Sequence, residues 1–394
     1  MKRSVSLFLL IKVLVLSLAL TSVAEKSEIA NETVPSLKAY RINPHPPVID
    51  GDLSDQIWKS SKIHYAKKFT QLEPDEGTAA TESTMVAIAY DDEALYAAFW
   101  CYDSEPDKIM RQLVRRDRHS ASDDITVCID AFHDHQTSFR FRVNAAGVQR
   151  DERVYNDNAQ DDSWDGIWYS DVKIQPWGWS AELKIPYHCL RFVEKEEHIW
   201  GLNLTRNIER KGEYVKWSFT PSAEGGFTSK FGHLTGLTNI KPTGHMEILP
   251  YAVSKAEIEP KSIGNPDGRE LLGNAGFDMK YALSSNLILD ATVNPDFGQV
   301  ELDQPVLNLS TYETYFSEKR PFFIEGMDLF ETEFHLFYSR RIGRSPSADV
   351  DDDSLAYYTN YPDASTILGA TKLTGKLSSG TSIAFLTAIT EKEI

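Results

Sequence analysis

From Ala39 to about Ile240, apolar and polar residues alternate in short runs, the period of strands with one face buried. Thr84 to Ala89 leads through Asp91-Asp92-Glu93 into Ala94 to Cys101, and Ile125 to Asp130, Ser138 to Asn144, Gly178 to Ile185 and His198 to Leu204 follow. Asp, Gly and Asn turns separate the runs, which predicts an all-β chain with an antiparallel sandwich rather than a parallel α/β sheet. Within Gly178 to Pro186, apolar Trp179, Ala181, Leu183 and Ile185 alternate with Ser180, Glu182 and Lys184. That strand is expected to be half-buried and stopped by its proline. Upstream, Val48 to Trp58 turns at Asp50-Gly51, and Ser54-Asp55 is placed to cap a short helical turn.

Beyond Lys241 the strands lengthen. Gly276 to Leu283 and Asn286 to Asn294 join at Ser284-Ser285, and Thr366 to Leu377 and Thr381 to Thr390 turn at Ser378-Ser379-Gly380. Strands of about 9 to 11 residues with tight turns suit a transmembrane β-barrel, with an added soluble β-domain as the other reading. A lipid-embedded sheet must close, and about five candidate strands fall short of the roughly eight of the smallest barrels. Ile394 is therefore expected not to be the natural end of the protein.

The N-terminus names a compartment. Met1-Lys2-Arg3 is basic, Leu7 to Leu20 is apolar but broken by Lys12, and Ser22-Val23-Ala24 offers small residues to a signal peptidase. An export signal, 1–24, is expected, followed by a flexible lead, 25–38; an uncleaved anchor would need about 20 apolar residues. Cys101, Cys128 and Cys189 lie in strand-like contexts without metal spacing, so buried free thiols are expected.

Composition narrows the chemistry. Among 394 residues, 58 acidic and 41 basic side chains leave a net charge of −17, which argues against a nucleic-acid partner. No nucleophile elbow, phosphate loop or zinc motif is present. A glycosidase needs two carboxylates about 5 or 6.5–9.5 Å apart, and Glu182 with Asp165 is the pair that could serve. His133-Asp134-His135 lacks a third ligand in sequence and reads as a solvated turn. Asn156 to Asp162 offers several oxygens, as calcium would require, but lacks the glycine and distant glutamate of an EF-hand loop; a solvated acidic loop is the alternative. Asp349 to Asp353 is similar.

Taken in order, Val48 to Trp58, Asp91 to Tyr96, Asp123 to Asp130, Gly178 to Pro186 and Lys230-Phe231-Gly232 resemble the family 9 carbohydrate-binding module, a β-sandwich that recognises sugars. Asn294 to Glu301, Glu318 to Gly326 and Phe337 to Gly343 resemble bacterial outer-membrane proteins of uncharacterised function in which such a sandwich precedes a β-barrel. The resemblance implies a sandwich at 39–240 and the start of a barrel at 241–394. It also implies an exported protein of the bacterial outer membrane in contact with lipid, its sandwich in the periplasm or at the surface, with a polysaccharide or oligosaccharide ligand and a place in polysaccharide use.

The family stacks sugar on two Trp side chains, and those positions fall here at about Ser120 and Gly225. Other aromatics must then serve as platforms, since a pyranose needs an apolar face and hydroxyl partners. Trp164, Trp177 and Phe227 are the candidates, with Arg116 and Asp124 as hydrogen-bonding groups; Trp168 and Trp179 are expected in the core. No catalytic residue, metal ligand or cofactor is assigned, calcium excepted as above. Glu318, Lys319, Arg320, Glu325, Arg340, Arg341 and Arg344, with Phe322 and Phe323, are expected to pack in a polar lumen. Two other functions fit: an outer-membrane channel or assembly component with a docking sandwich, and an extracytoplasmic glycoside hydrolase acting on O-glycosyl compounds through Glu182.

Overall fold

The computed structural model describes residues 34–242, 244–258, 260–261, 266–284, 287–295, 315–316, 318–330, 334, 336–344, 365–377 and 381–392. The export signal, the lead up to residue 33, Asp349 to Asp353, the Ser378-Ser379-Gly380 turn and most of Asn294 to Glu301 lie outside the described residues.

Alternation produces two facing sheets. The larger has nine strands in the order β1 (Ser36–Lys38), β15 (Gly232–Thr238), β13 (Glu197–Ile208), β7 (Asp124–Asp130), β8 (Ser138–Asn144), β9 (Gln149–Tyr155) and β10 (Ala159–Asp161). β14 (Glu213–Lys216) also pairs with β13, and β4 (Thr70–Glu73) pairs with β14. The smaller runs β11 (Tyr169–Gln175), β12 (Gly178–Pro186), β6 (Ala94–Tyr102), β5 (Thr84–Tyr90) and β2 (Tyr40–Arg41), with β3 (Tyr65–Ala66) also on β5. Pairing is antiparallel except β1 with β15 and β2 with β5. Between the sheets, Val127, Phe141, Leu202 and Leu204 meet Phe99, Trp179, Leu183 and Ile185 in one core, joined by Trp168. Burying each of the large ones is worth roughly 1.5–3 kcal/mol, so this core is what holds the sheets face to face. All three cysteines are buried and free.

Three expectations are corrected. Strand β12 is covered on both faces rather than half-buried: Ser180 and Glu182 are 0% exposed, beneath the Val48 to Trp58 segment. Glu182 makes that cover. Its Oε1 accepts from Trp58 Nε1 at 2.7 Å and its Oε2 from the N–H groups of Asp50 and Gly51 at 3.2 and 3.0 Å, while Ser180 Oγ donates to Gly51 O at 2.6 Å. A second core, including Trp58, Ile63, Ala89, Tyr96 and Ala98, fills the space around this tie. The short helical turn forms at Gln56–Lys59, but the Asp55 carboxylate accepts from Val48 N at 3.0 Å instead of capping it. The lead also ends early: Ser36–Lys38 pairs with β15 because Leu37 is buried.

A third, antiparallel sheet holds β16 (Met246–Ile258), β17 (Arg269–Ser284), β18 (Leu287–Val293), β19 (Ile367–Lys376) and β20 (Ser382–Thr390), paired in that order. Its faces are inverted relative to a soluble sheet. Ile248, Phe277, Tyr281, Val293, Phe385 and Ile389 are exposed on one face, whereas buried Asp290, Thr292, Lys372 and Thr374 occupy the other. Residues 318–330 and 336–344 lie on that polar face. Lys372 Nζ donates to the carbonyls of Phe322 and Glu325 at 2.8 and 2.6 Å and lies 3.6 Å from Asp290, and Lys280 pairs with Glu325 at 2.9 Å. Arg320 is braced by Glu318 at 2.7 Å and by the carbonyls of Ser339 and Ile342, with its guanidinium 4.1 Å from the Phe323 ring centre.

Candidate functional site

The outward face of the nine-stranded sheet carries polar groups at nearly every position. Register sets them in rows across the strands. Tyr214, Asn207, Asp124 and Asn144 form one; Lys216, Thr205, Thr126, Arg142 and Arg150 form the next; Asn203, Cys128, Arg140 and Glu152 form a third. Central strands are flanked on both sides, so their outward side chains lie flat against neighbours and become buried without an apolar cover. Thr126 and Thr205 are fully buried, and Arg140 and Glu152 nearly so.

Pairing satisfies most of this charge. Arg140 bonds Glu152 at 3.2 Å, and the Gln160 amide, with its oxygen towards Arg140 and its nitrogen towards Glu152, bridges the two. Phe227 covers this end, its ring 5.3 Å from the Arg140 guanidinium and 5.9 Å from Lys216 Nζ, with Phe231 edge-on at 5.1 Å. Among the described residues Arg142 is held through Nε alone, 3.3 Å from Thr126 Oγ1 and 3.7 Å from Asp124 Oδ1. Burial pushes the Asp124 carboxyl up, against the pull of Arg142, and holds the Lys216 ammonium below its usual range.

At the Asp124 end the face opens. Arg118, His119, Ser120, Asp124, Arg142, Asn144 and Arg150 surround a depression of about 20 Å³. Asn144 sets its rim, donating to Ser120 Oγ and Gln112 O, both at 3.1 Å, while its own oxygen accepts from the N–H groups of Ala146 and Val148. Arg116 anchors the same loop from behind. It bonds Asp151 at 2.9 Å, Asp165 at 2.8 Å and Gly166 O at 2.7 Å. The carboxylates of Asp117, Asp151 and Asp165 thus converge on a guanidinium, and burial pushes Asp151 up to about 6.

Only Asp124 and Phe227 of the five expected site residues share this face. Trp164, read from sequence as a platform, is a core residue: it is 7% exposed and packs against Phe139 and Phe141 at ring distances of 4.7 and 5.9 Å. The pinned Gly166 turn folds it inward, which leaves little of its ring exposed to stack. Trp177 sits in the turn between β11 and β12 on the other sheet, beside Tyr102 at 5.0 Å. Arg116 is a loop anchor with its donors committed to protein oxygens.

The remaining motifs disperse. Glu182 and Asp165 have separate environments, one tied to Trp58 and Gly51, the other to Arg116. In the acidic loop, Asp157 accepts from Phe227 N, Ser229 N and Ser229 Oγ, and Asp161 pairs with Arg153 at 3.0 Å. His133, beside His135, meets a third imidazole that sequence spacing did not supply, His233, whose Nδ1 is 3.4 Å from His133 Nε2. Arg140, Arg142, Arg150, Glu152 and Lys216 were missed. For Arg140 and Arg142 the signal was Phe139-Arg140-Phe141-Arg142-Val143-Asn144, where every polar position must face away from the core.

A family model described as a domain of unknown function, DUF5916, matches residues 242–394. Among curated proteins none matches. Similar solved structures include two carbohydrate-binding modules of family 9 from Caldicellulosiruptor kristjanssonii. The one in complex with cellotriose is 16% identical, with a TM-score of 0.37, covering 51% of this chain and 93% of its own. The one in complex with glucose is 18% identical, with a TM-score of 0.36, covering 53% and 100%. A protein from Bacteroides uniformis ATCC 8492 is similar at 11% identity and a TM-score of 0.43, covering 52% and 99%.

Proposed function

We propose that this chain is a saccharide-binding protein of the bacterial outer membrane, its sandwich supplying recognition and its third sheet forming part of a barrel wall. The observation that carries the first half is the polar outward face around Asp124 and Arg142. A carboxylate beside a guanidinium whose two terminal nitrogens have no partner among the described residues suits the paired donor and acceptor of sugar hydroxyls. Ser120 and Gly225, where the resembled family carries its tryptophans, shift the work from stacking to hydrogen bonds, and a place in polysaccharide use follows. Full-length protein in detergent, titrated by calorimetry with xylan, cellulose, mannan and acidic oligosaccharides, is expected to bind at least one. Asp124→Ala is expected to weaken that binding about tenfold, the worth of one charge-assisted hydrogen bond. Silence across the panel, with and without calcium, sinks the saccharide reading.

The second half rests on the inverted third sheet. An exposed apolar face over a buried polar one is what a barrel wall needs when its surroundings are lipid. Residues 318–330 and 336–344 then fill part of the lumen, their charges paired across the interior. Leu289→Arg on the apolar face is expected to cost about 2–4 kcal/mol in a bilayer and to move the protein out of the membrane fraction. Wild-type protein that stays in solution without detergent refutes the membrane assignment.

A further inference from the structure

The depression at Asp124 is basic in a chain of net charge −17. Arg142 on β8 stands directly across from Arg150 on β9, and like charges so placed work against the strand pairing. Little offsets them. Among the described residues, Arg142 shares Asp124 through Nε only, and the nearest carboxylate to Arg150 is Glu152 at 4.0 Å, itself committed to Arg140. Exposed Arg118, on the loop that Asn144 and Arg116 fix, adds a third guanidinium with no side-chain partner among the described residues.

Size then restricts what enters. A depression of about 20 Å³ is too small to enclose a pyranose ring, so a ring lies over its open mouth with a substituent directed at the guanidinium groups. We infer that the depression takes the acidic substituent, a carboxylate or sulfate, of an anionic saccharide, held in the fork of Arg142 and between Arg150 and Arg118. Guanidinium pairs oxyanions bidentately, and an inserted anion relieves the opposition of Arg142 and Arg150. This inference rests on the saccharide reading above and names its ligand class.

Calorimetry on the full chain in detergent with tetragalacturonate, a sulfated galactan oligosaccharide, cellotetraose, sodium acetate and sodium sulfate tests it. One or both acidic oligosaccharides are expected to bind at least about tenfold tighter than cellotetraose, and to weaken steeply as salt rises. The two acidic arms distinguish carboxylate from sulfate. Arg150→Ala is expected to lose about tenfold or more for the acidic ligand, well beyond any loss for cellotetraose, and to melt no lower than wild type because a like-charge pair is removed. Equal or tighter cellotetraose binding, or an Arg150→Ala protein that binds the acidic ligand normally, overturns the inference while leaving the saccharide reading intact. Sulfate or acetate binding as tightly as the oligosaccharide reduces the site to an adventitious anion patch. No binding by any sugar removes both readings.

Discussion

Replacing Glu182 with alanine will cost roughly 3–5 kcal/mol of stability, the range for stranding the partners of a buried charged group. The carboxylate is fully buried and answers three N–H donors from the 48–58 segment, including the indole of Trp58. Without it the donors face an apolar cavity, and the second core of Trp58, Ile63 and Tyr96 loses the tie that holds its cover. Thermal unfolding should shift down by about 10 °C or more for a domain of this size. A shift under about 2 °C would show that the tie is incidental. Because Glu182 is occupied in this way, its loss should act on melting and leave saccharide affinity of the folded protein unchanged.

The same carboxyl ties stability to pH. Burial pushes Glu182 up from 4.5 to about 7, against the hydrogen bonds of Trp58 and Asp50. The folded state therefore holds the proton more tightly than the unfolded chain. This stabilisation is fully present below the unfolded value and is lost as pH rises through about 7, amounting to about 3 kcal/mol. Melting temperature should fall between pH 5 and pH 8.5 in the wild type, and this component should vanish in Glu182→Gln, whose amide does not titrate. An unchanged pH profile in that variant refutes the assignment.

Gly178→Ala is the second large effect. The backbone there has φ +142°, and a Cβ would stand 2.1 Å from Cys101 O and 2.9 Å from Asp103 N. Both neighbours are main chain at the end of β6, where Gly178 pairs with Tyr102, so no side chain can swing aside. The first residues of β12 and the Trp177 turn must separate from β6, at roughly 3 kcal/mol or more. Gly212 provides the control: φ is +57° but nothing lies within 4 Å, so Gly212→Ala should cost only about 1–2 kcal/mol. Equal melting temperatures for the two variants would contradict the steric account.

Much of the strand layout was legible because period-2 alternation is a local property. Ser138–Asn144 and Gly178–Pro186 fall where their apolar positions put them. Glu182 was legible as an outward polar position but not as a buried one, since its cover comes from residues more than 120 positions earlier. Trp164 was misread for the same reason. Its acidic neighbours suggested exposure, but Asp151 and Arg116 pin Gly166 and turn the indole onto Phe139. Arg142 was legible only as one polar position of an alternating strand, and Arg150 was not read at all. Their opposition across β8 and β9 is a matter of register, which no local pattern states.

By itself, then, the sequence determined an all-β chain, the Asp124 strand, and the change from short strands to long ones near residue 241, because each is written in spacing along one segment. Tertiary structure alone decided which polar groups gather. It placed Asp124 and Phe227 on one sheet face, sent Trp164 to the core and Trp177 to the other sheet, and set Arg142 against Arg150. Those outcomes depend on pairings between strands far apart in the chain, and the free energy that selects them belongs to burial in the assembled sheets rather than to any one strand.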